Sequence, residues 1–489
     1  MMTIRELFND DKYPDIVLED IMDDSRIESK NSVFFSLQGL THDGHSFISQ
    51  AIDNGAICIV HSRELKNKKE GVTYIHDPLL TENYPDYVNR FFKNPSSKLH
   101  LIGITGTNGK TTISTLIQYM MNHFKKSAYM GTIGFHFDGF DLPSQLTTST
   151  LVNNQKYLDL FVNEGVEVVA MEASSQGIDL NRIDGLTFES AVFTNLTIDH
   201  LDYHLNMESY YQAKKKLFSK MDYSKRVIIN IDDDFGLRLS KELVNPVTTV
   251  SMHNPEATVY IHSVDLTIDR TYFSLNYNNE IYEFETNFVS EYNLMNLVQS
   301  MMACVNLGVE LEDLTEIIKT IPEITGRLQL VETDEDFDII IDFAHSPDSM
   351  EKILQFCRSI VKDDGRIISL FGSAGRRDKS KRGLMGQVAD KYSDLIYLTQ
   401  DDPRDESVKE ISQQIASGIF YNPYVIVESR LQAIHFAIHS ARKNDIIVLM
   451  GKGPENTMAV GNIVVPYETD YNIAKESLML LRKEKDEKY

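Results

Sequence analysis

Positive charge is scarce in this chain of 489 residues: 48 lysines and arginines stand against 72 aspartates and glutamates, a net charge of -24. Non-specific nucleic-acid binding takes its affinity from basic side chains on backbone phosphates, so the balance argues against that class. An anionic ligand must instead meet a local basic site. Cysteine is scarcer still. Cys58, Cys304 and Cys357 are scattered and flanked by apolar residues, which supports neither a disulfide framework nor a zinc site and reads as reduced core thiols. No run approaches the ~18 apolar residues of a membrane span, and the opening MMTIRELFNDDKYPD lacks the apolar centre of a signal peptide. Internal repeats and low-complexity segments are absent too. The expectation is a cytoplasmic protein, monomeric, with no nucleic-acid partner and no membrane insertion.

What remains is an ordinary globular composition, 42% hydrophobic and 25% charged, in a chain long enough for roughly three domains. Residues 1–97 carry short strand-like pieces, NSVFFSL and GAICIV, and end in the polar FFKNPSSK. A second segment, 98–325, contains the buried-strand runs VEVVAMEAS and ESAVFTNLT. A third, 326–489, alternates FDIIIDFAH, RIISLFGSAG, DLIYLTQDDPR and DIIVLMGKG with helical stretches. Each of these runs ends in polar or glycine residues, where open α/β sheets bind ligands.

The stretch GITGTNGKTT, 103–112, sits between the apolar run LHLIGI and the helically spaced TTISTLIQYMMNHF. A standard phosphate loop has a glycine where this chain has Ile104. The spacing Gly103, Gly106, Gly109 is not the dinucleotide fingerprint either. Strand, glycine loop and helix still form a phosphate-binding arrangement: loop N–H groups cradle phosphate oxygens, Lys110 reaches the terminal phosphates, and Thr111 or Thr112 holds Mg²⁺. MEASSQG places Glu172 just past a buried run, and FTNLTIDHLDYH gathers Asp199, His200, Asp202 and His204. Together with the loop they suggest a second metal site.

GSAGRRDKSKR packs five basic residues into 372–382, either an anion site or a solvated turn. DDPRDE, 401–406, and GKGPE, 451–455, each end a strand; the acids suit an ammonium and Arg404 a carboxylate, unless the charges only pair with one another.

Taken together these motifs resemble the Mur ligase family, and within it the UDP-N-acetylmuramoyl-tripeptide synthetases. The resemblance runs from DSR and THDGHSFISQAIDNGA through GITGTNGKTT, MEASSQG, FTNLTIDHLDYH, GRLQ and DFAHSPDSME to GSAGRRDKSKR, DDPR and GKGPE. It implies three α/β domains: a smaller N-terminal domain for the UDP-sugar, a central P-loop ATPase-type parallel sheet, and a C-terminal Rossmann-like domain for the amino acid. It also implies an ATP- and Mg²⁺-dependent ligation through an acyl phosphate, joining a diamino acid to the D-glutamate of UDP-N-acetylmuramoyl-L-alanyl-D-glutamate in peptidoglycan precursor synthesis. Lys110, Glu172, His200 and Lys214 are implied as catalytic, with Thr111, Glu172, His200 and a carbamylated Lys214 on metal. Gly106, Thr107, Asn108, Gly109, Lys110, Thr111, Thr112, Asn293, Asn296, Arg327, Asp342 and His345 match nucleotide contacts. Ser25, Thr147, Thr148, Ser174 and Arg182 match the UDP-sugar peptide site, and Arg377, Asp401, Asp402, Arg404, Gly451 and Glu455 the amino-acid site.

Where diaminopimelate-adding relatives read Asp-Asn-Pro-Arg, this chain has Asp402, which favours L-lysine over meso-diaminopimelate by a small margin; a freely placed Arg404 would reverse that. Pro454, Ser290, Gln176 and Asn31 also depart from the family pattern. A folylpolyglutamate-synthetase-like ligase and a non-catalytic nucleotide-gated paralogue remain as alternatives.

Overall fold

The computed structural model describes residues 2–39, 43–144, 146–267 and 270–486; Thr41 and His42 of the THDGHSF motif fall outside these. Two compact units are present, the first formed by Met1–Gly103, Met121–Ala191 and Lys216–Lys225, the second by Ile104–Met120, Val192–Lys215 and Arg226–Tyr489.

In the first unit, four parallel strands, Asp20–Met22, Ser32–Phe35, Ala56–His61 and Thr73–His76, lie side by side in chain order. Side chains alternate across the sheet. Val33, Phe35, Cys58, Val60 and Ile75 join one core with Leu7, Leu80 and Val88 from helices Ile4–Phe8 and Leu80–Phe91, while Phe34 and Ile59 join another with Ala51. Asn31 enters this sheet at φ 50°, a left-handed conformation that asparagine tolerates. The same unit holds the buried strand Val168–Glu172, parallel to Ser127–Gly131, which continues antiparallel through Gly134–Phe137 and Phe140–Leu142.

The second unit contains parallel strands Val227–Asn230, Val247–Ser251 and Val259–Leu266, followed by an antiparallel meander through Thr271–Tyr277 and Glu280–Thr286. Asn278 and Asn279 turn that hairpin with φ 53° and 65°, the two positive values a tight two-residue loop needs. The sheet expected to be parallel is therefore parallel with antiparallel strands added, and the meander was not anticipated.

A six-stranded sheet completes this unit in the order Gln329–Leu330, Asp338–Asp342, Ile446–Met450, Ile367–Phe371, Leu395–Leu398, Tyr424–Ile426. All but the first are parallel to their neighbours. Helices Pro347–Ile360, Lys381–Tyr392 and Val408–Ala416 pack on one face; Arg430–Ser440 and Asp470–Asp486 pack on the other. Inserting Ile446–Met450 between Asp338–Asp342 and Ile367–Phe371 brings three polar loops together at the carboxyl ends of these strands.

The three cysteines are free and fully buried, Cys58 in its strand, Cys304 in helix Glu291–Asn306 and Cys357 in helix Pro347–Ile360. Burial pushes each thiol pKa upward, as inert core thiols require. Among the described residues no helix is long and apolar enough to cross a membrane.

Candidate active site

The glycine loop joins strand His100–Thr105 to helix Lys110–Met121, as its sequence context requires. Gly106 and Gly109 have φ 154° and 87°. A Cβ at Gly106 would stand 1.8 Å from the Thr194 hydroxyl, and one at Gly109 2.5 Å from Asn296 Oδ1. A side chain at either place would collide with these neighbours, which accounts for glycine at both. Asn108 fixes the loop through three groups: its N–H donates to Asn195 Oδ1 at 3.0 Å, its carbonyl accepts from Thr194 at 2.5 Å, and its amide donates to Asp348 at 2.9 Å. The cavity beside it measures ≈ 630 Å³ and is lined by Asn108, Gly109, Thr112, Asn293, Asn296 and Arg327, among others. Its size and mixed polarity suit a nucleotide.

Lys110 donates to the carbonyls of Gly106 and Thr107 at 3.0 and 2.9 Å, folding its ammonium over the loop. Lys214, fully buried in helix Met207–Ser219, donates to the same Gly106 oxygen at 2.6 Å and lies over the Tyr210 ring. The two lysine side chains thus converge on one carbonyl. Burial, then the charge of Lys110, hold the Lys214 pKa well below the usual lysine value, which favours a neutral amine.

Asp199, buried, is met by His200 and His345 at 3.7 Å each and by Lys381 at 3.3 Å. Burial would raise its pKa, yet the neighbouring His345 and the Lys381 charge hold it well below the carboxylate range. His200 has φ 55°, and burial lowers its pKa to about 4, leaving a neutral imidazole. His204 instead stacks on Tyr210 and Asp202 is exposed. His345 turns its Nδ1 toward the Phe343 carbonyl at 2.8 Å.

Arg327 reaches Thr111 Oγ1 at 3.4 Å and lies over Phe343, while its buried Nε has no hydrogen-bond partner among the described residues. Asp342 accepts from the Leu328 and Ala344 N–H groups at 2.8 Å each, so its buried carboxyl holds the two segments flanking the cavity. Ser290, at the start of the asparagine-bearing helix, sits at φ 81° and ψ 147° and caps Asn293 N. This backbone geometry is strained for any residue but glycine.

In the first unit, Glu172 is buried at the end of its strand. It accepts from Tyr129 OH, from Thr132 N at 3.1 Å and from Thr132 Oγ1 at 3.0 Å. Thr147 accepts from Thr132 at 3.1 Å, and Thr148 donates to the Glu172 carbonyl at 2.9 Å and meets Ser174 at 3.1 Å. Arg182 donates to the Thr148 carbonyl at 2.9 Å. These four candidates therefore gather around Glu172. Ser25 donates to Gln50 Oε1 at 2.9 Å.

The amino-acid candidates come together at the carboxyl ends of three neighbouring strands. Asp401 is buried, Gly451 N donates to Asp342 O at 3.1 Å, and Gly375 N donates to Asp402 O at 3.0 Å. Of the five cations in 372–382, four are engaged: Arg376 by Asp405, Lys379 and the buried Arg382 by Glu406, and Lys381 by Asp199. Arg377 is exposed and makes no ion pair among the described residues. Arg404 donates to the Gly375 carbonyl at 2.6 Å and, among the described residues, to no carboxylate. Among the described residues Arg404 thus pairs with neither Asp402 nor Glu406, although their proximity in sequence permits it. Asp402 instead accepts from Lys452 at 3.0 Å, and Lys452, fully buried, also pairs with Glu455.

Sequence reasoning missed Lys452, Thr194, Asn195 and Asp348. All four lie inside motifs already singled out, so the signal was the motif and the omission was of role.

Two family profiles match the chain, the Mur ligase middle domain over residues 104–304 and the glutamate ligase domain of Mur ligases over 326–453. The UDP-N-acetylmuramoyl-L-alanyl-D-glutamate--2,6-diaminopimelate ligase 1 of Clostridium acetobutylicum is 37% identical over 96% of this chain and 97% of its own length. The corresponding ligase of Fusobacterium nucleatum is 35% identical over 90% and 89%. A solved structure of a ligase with that name superposes with a TM-score of 0.66 at 27% identity, covering 95% of both chains. With its glycine cradle, its buried lysine and its three converging loops, this chain belongs to the Mur ligase family.

Proposed function

We propose that the chain is a cytoplasmic ATP-dependent ligase of peptidoglycan precursor synthesis that adds meso-diaminopimelate to the D-glutamate of UDP-N-acetylmuramoyl-L-alanyl-D-glutamate. The class of reaction rests on family membership. The choice of amino acid rests on one observation: among the described residues Arg404 makes no ion pair with a carboxylate, whereas Asp402 and Glu455 share the ammonium of Lys452. A distal carboxylate on the substrate then finds a guanidinium fork, and the repulsion expected from Asp402 is offset. The names of the relatives point the same way. Lysine, favoured on the sequence alone, gives way to diaminopimelate.

In this reading the glutamate carboxylate takes the γ-phosphoryl group of ATP, and the incoming amine then displaces phosphate to form the amide. Gly106, Thr107, Asn108, Gly109 and Thr112 hold phosphate oxygens, and Lys110 meets the charge that develops on them. Asn293, Asn296, Arg327, Asp342 and His345 enclose the nucleotide. The Arg327 donor without a partner fits a polar ligand at this place. Thr111, His200 and Lys214 would hold Mg²⁺, which supplies charge neutralisation between phosphate and carboxylate; Glu172 is the carboxylate of the first unit proposed for metal. A neutral His200 suits that task. Lys214 suits it once its amine adds to CO₂ and loses a proton, giving an anionic carbamate. Ser25, Thr147, Thr148, Ser174 and Arg182 serve the nucleotide dipeptide. The proposed domains are 1–97, 98–325 and 326–489, supported by separate sheets within 20–76 and 329–450.

The test is a ligation assay with ATP, Mg²⁺, the nucleotide dipeptide and either amino acid. Formation of ADP, phosphate and tripeptide is expected, with kcat/KM higher for diaminopimelate than for lysine. A higher value for lysine overturns the choice of amino acid, and ATP turnover indifferent to both substrates overturns the ligase. Lys214→Ala is expected to lose roughly 10- to 100-fold in rate, the scale of lost support to a bound metal, and to recover part of it with added short carboxylic acids. An undiminished rate counts against the carbamate.

A further inference from the structure

The proposed amino-acid site holds three acids, Asp401, Asp402 and Glu455, for a substrate that, on the function proposed above, carries a carboxylate at its far end. Charge of that sign would repel it. Lys452 lies in the middle of the group with none of its side chain exposed, 3.0 Å from Asp402 Oδ1 and hydrogen-bonded to Glu455. Burial opposes its charge, but Glu455 and Asp401 more than offset this, and it remains an ammonium. The surrounding backbone fixes the arrangement. Asp402 sits at φ 44°, its Oδ1 also accepts from Ala459 N at 3.0 Å, and its own N–H points to Met458 Sδ at 3.2 Å. Arg404, at φ 50°, is tied to the hairpin of Thr457–Val460 and Ile463–Pro466, donating its N–H to Ala459 O at 3.0 Å and accepting from Gly461 N at 2.7 Å. Asp402 is thereby turned toward Lys452, while the Arg404 side chain, among the described residues, reaches only a carbonyl.

We propose that Lys452 is a positioning residue for amino-acid specificity: its buried ammonium holds Asp402 and Glu455 in place and offsets their charge, so the pocket accepts a zwitterionic end instead of a lone ammonium. The substrate's ammonium meets the acids and its distal carboxylate meets Arg404. This inference rests on the ligase reading and adds the residue that sets its selectivity.

Lys452→Met keeps the length of the buried stem and removes the charge. KM for diaminopimelate is expected to rise roughly tenfold or more, as when one charge of a pair is left uncompensated. The ratio of kcat/KM for diaminopimelate over lysine should fall by a similar factor, with kcat at saturation much less affected. ADP affinity, read by fluorescent-nucleotide displacement, should not change. Adding Asp402→Asn to that variant removes the exposed repulsion and should restore most of the ratio, which a purely structural role for Lys452 does not predict. In the parent, Asp402→Asn should move the ratio by less than about threefold, because the charge it removes is already offset. An unchanged ratio in Lys452→Met, or no recovery in the double variant, overturns the proposal. Should Lys452→Met fail to fold, a large gain for diaminopimelate in Asp402→Asn alone overturns it and a small change supports it. A parent that ligates neither amino acid refutes the ligase reading instead.

Discussion

Lys110→Ala is expected to lower ligation turnover by about 10²- to 10³-fold, the loss typical when one preorganised stabiliser of developing charge is removed. The ammonium rests on two loop carbonyls, Gly106 O and Thr107 O, within the loop proposed to hold phosphate oxygens. Shape is kept by other groups: Asn195, Thr194 and Asp348 clamp Asn108, and Gly106 and Gly109 abut Thr194 and Asn296. Folding should therefore be little affected, and the thermal midpoint of the variant should lie near that of the parent. Removing this charge also relieves Lys214, whose pKa is lowered partly by Lys110. Single-turnover measurement of ADP and tripeptide formation checks the effect, and a rate within tenfold of the parent would sink the role given to the lysine.

Asp470→Asn is expected to destabilise the second unit by about 3–5 kcal/mol, the cost of stranding a buried charge. Arg430 and Asp470 are both fully buried and paired by two parallel hydrogen bonds of 2.8 and 2.6 Å. Arg430 also donates to Met450 O at 2.9 Å, and Tyr467 donates to Asp470 at 2.6 Å. One fork thus binds the starts of two helices, Arg430–Ser440 and Asp470–Asp486, to the end of strand Ile446–Met450, just before the loop that carries Lys452 and Glu455. Losing half of it leaves a guanidinium without its counterion. Exchanging both residues for apolar ones of similar volume, Arg430→Met with Asp470→Leu, should recover most of the stability. Denaturant unfolding of the parent and the two variants decides the matter, and a loss below about 1 kcal/mol for Asp470→Asn would show the pair to be of little consequence.

Much of the frame was legible because it is local. The strand and loop signals around 100–112, 168–172, 338–342, 367–371, 395–398 and 446–450 are runs of apolar residues closed by glycine or polar ones, and each became a strand ending in a candidate loop. The meander of 259–286 was equally local, with alternating side chains around Asn278 and Asn279, but it was not read. Charge partners were the part that could not be read. Proximity in sequence suggested that Arg404 would meet Asp402 or Glu406; sheet order instead sets residue 452 beside 402. The five cations of 372–382 look alike in sequence, and only the fold shows that Asp405, Glu406 and Asp199 engage four of them and leave Arg377 exposed.

The three buried thiols give the molecule built-in clocks for its own opening. Cys58 lies in the N-terminal sheet, Cys304 in the helix behind the nucleotide cavity and Cys357 in a helix covering the C-terminal sheet. Each is hidden from water and held in its unreactive protonated form, so an alkylating reagent can modify it only when that region opens. Labelling rates followed by peptide mass would then read the stability of three regions separately in one sample, with no residue replaced. Any ligand that tightens the nucleotide cavity should slow the clock at Cys304 before it slows the one at Cys58.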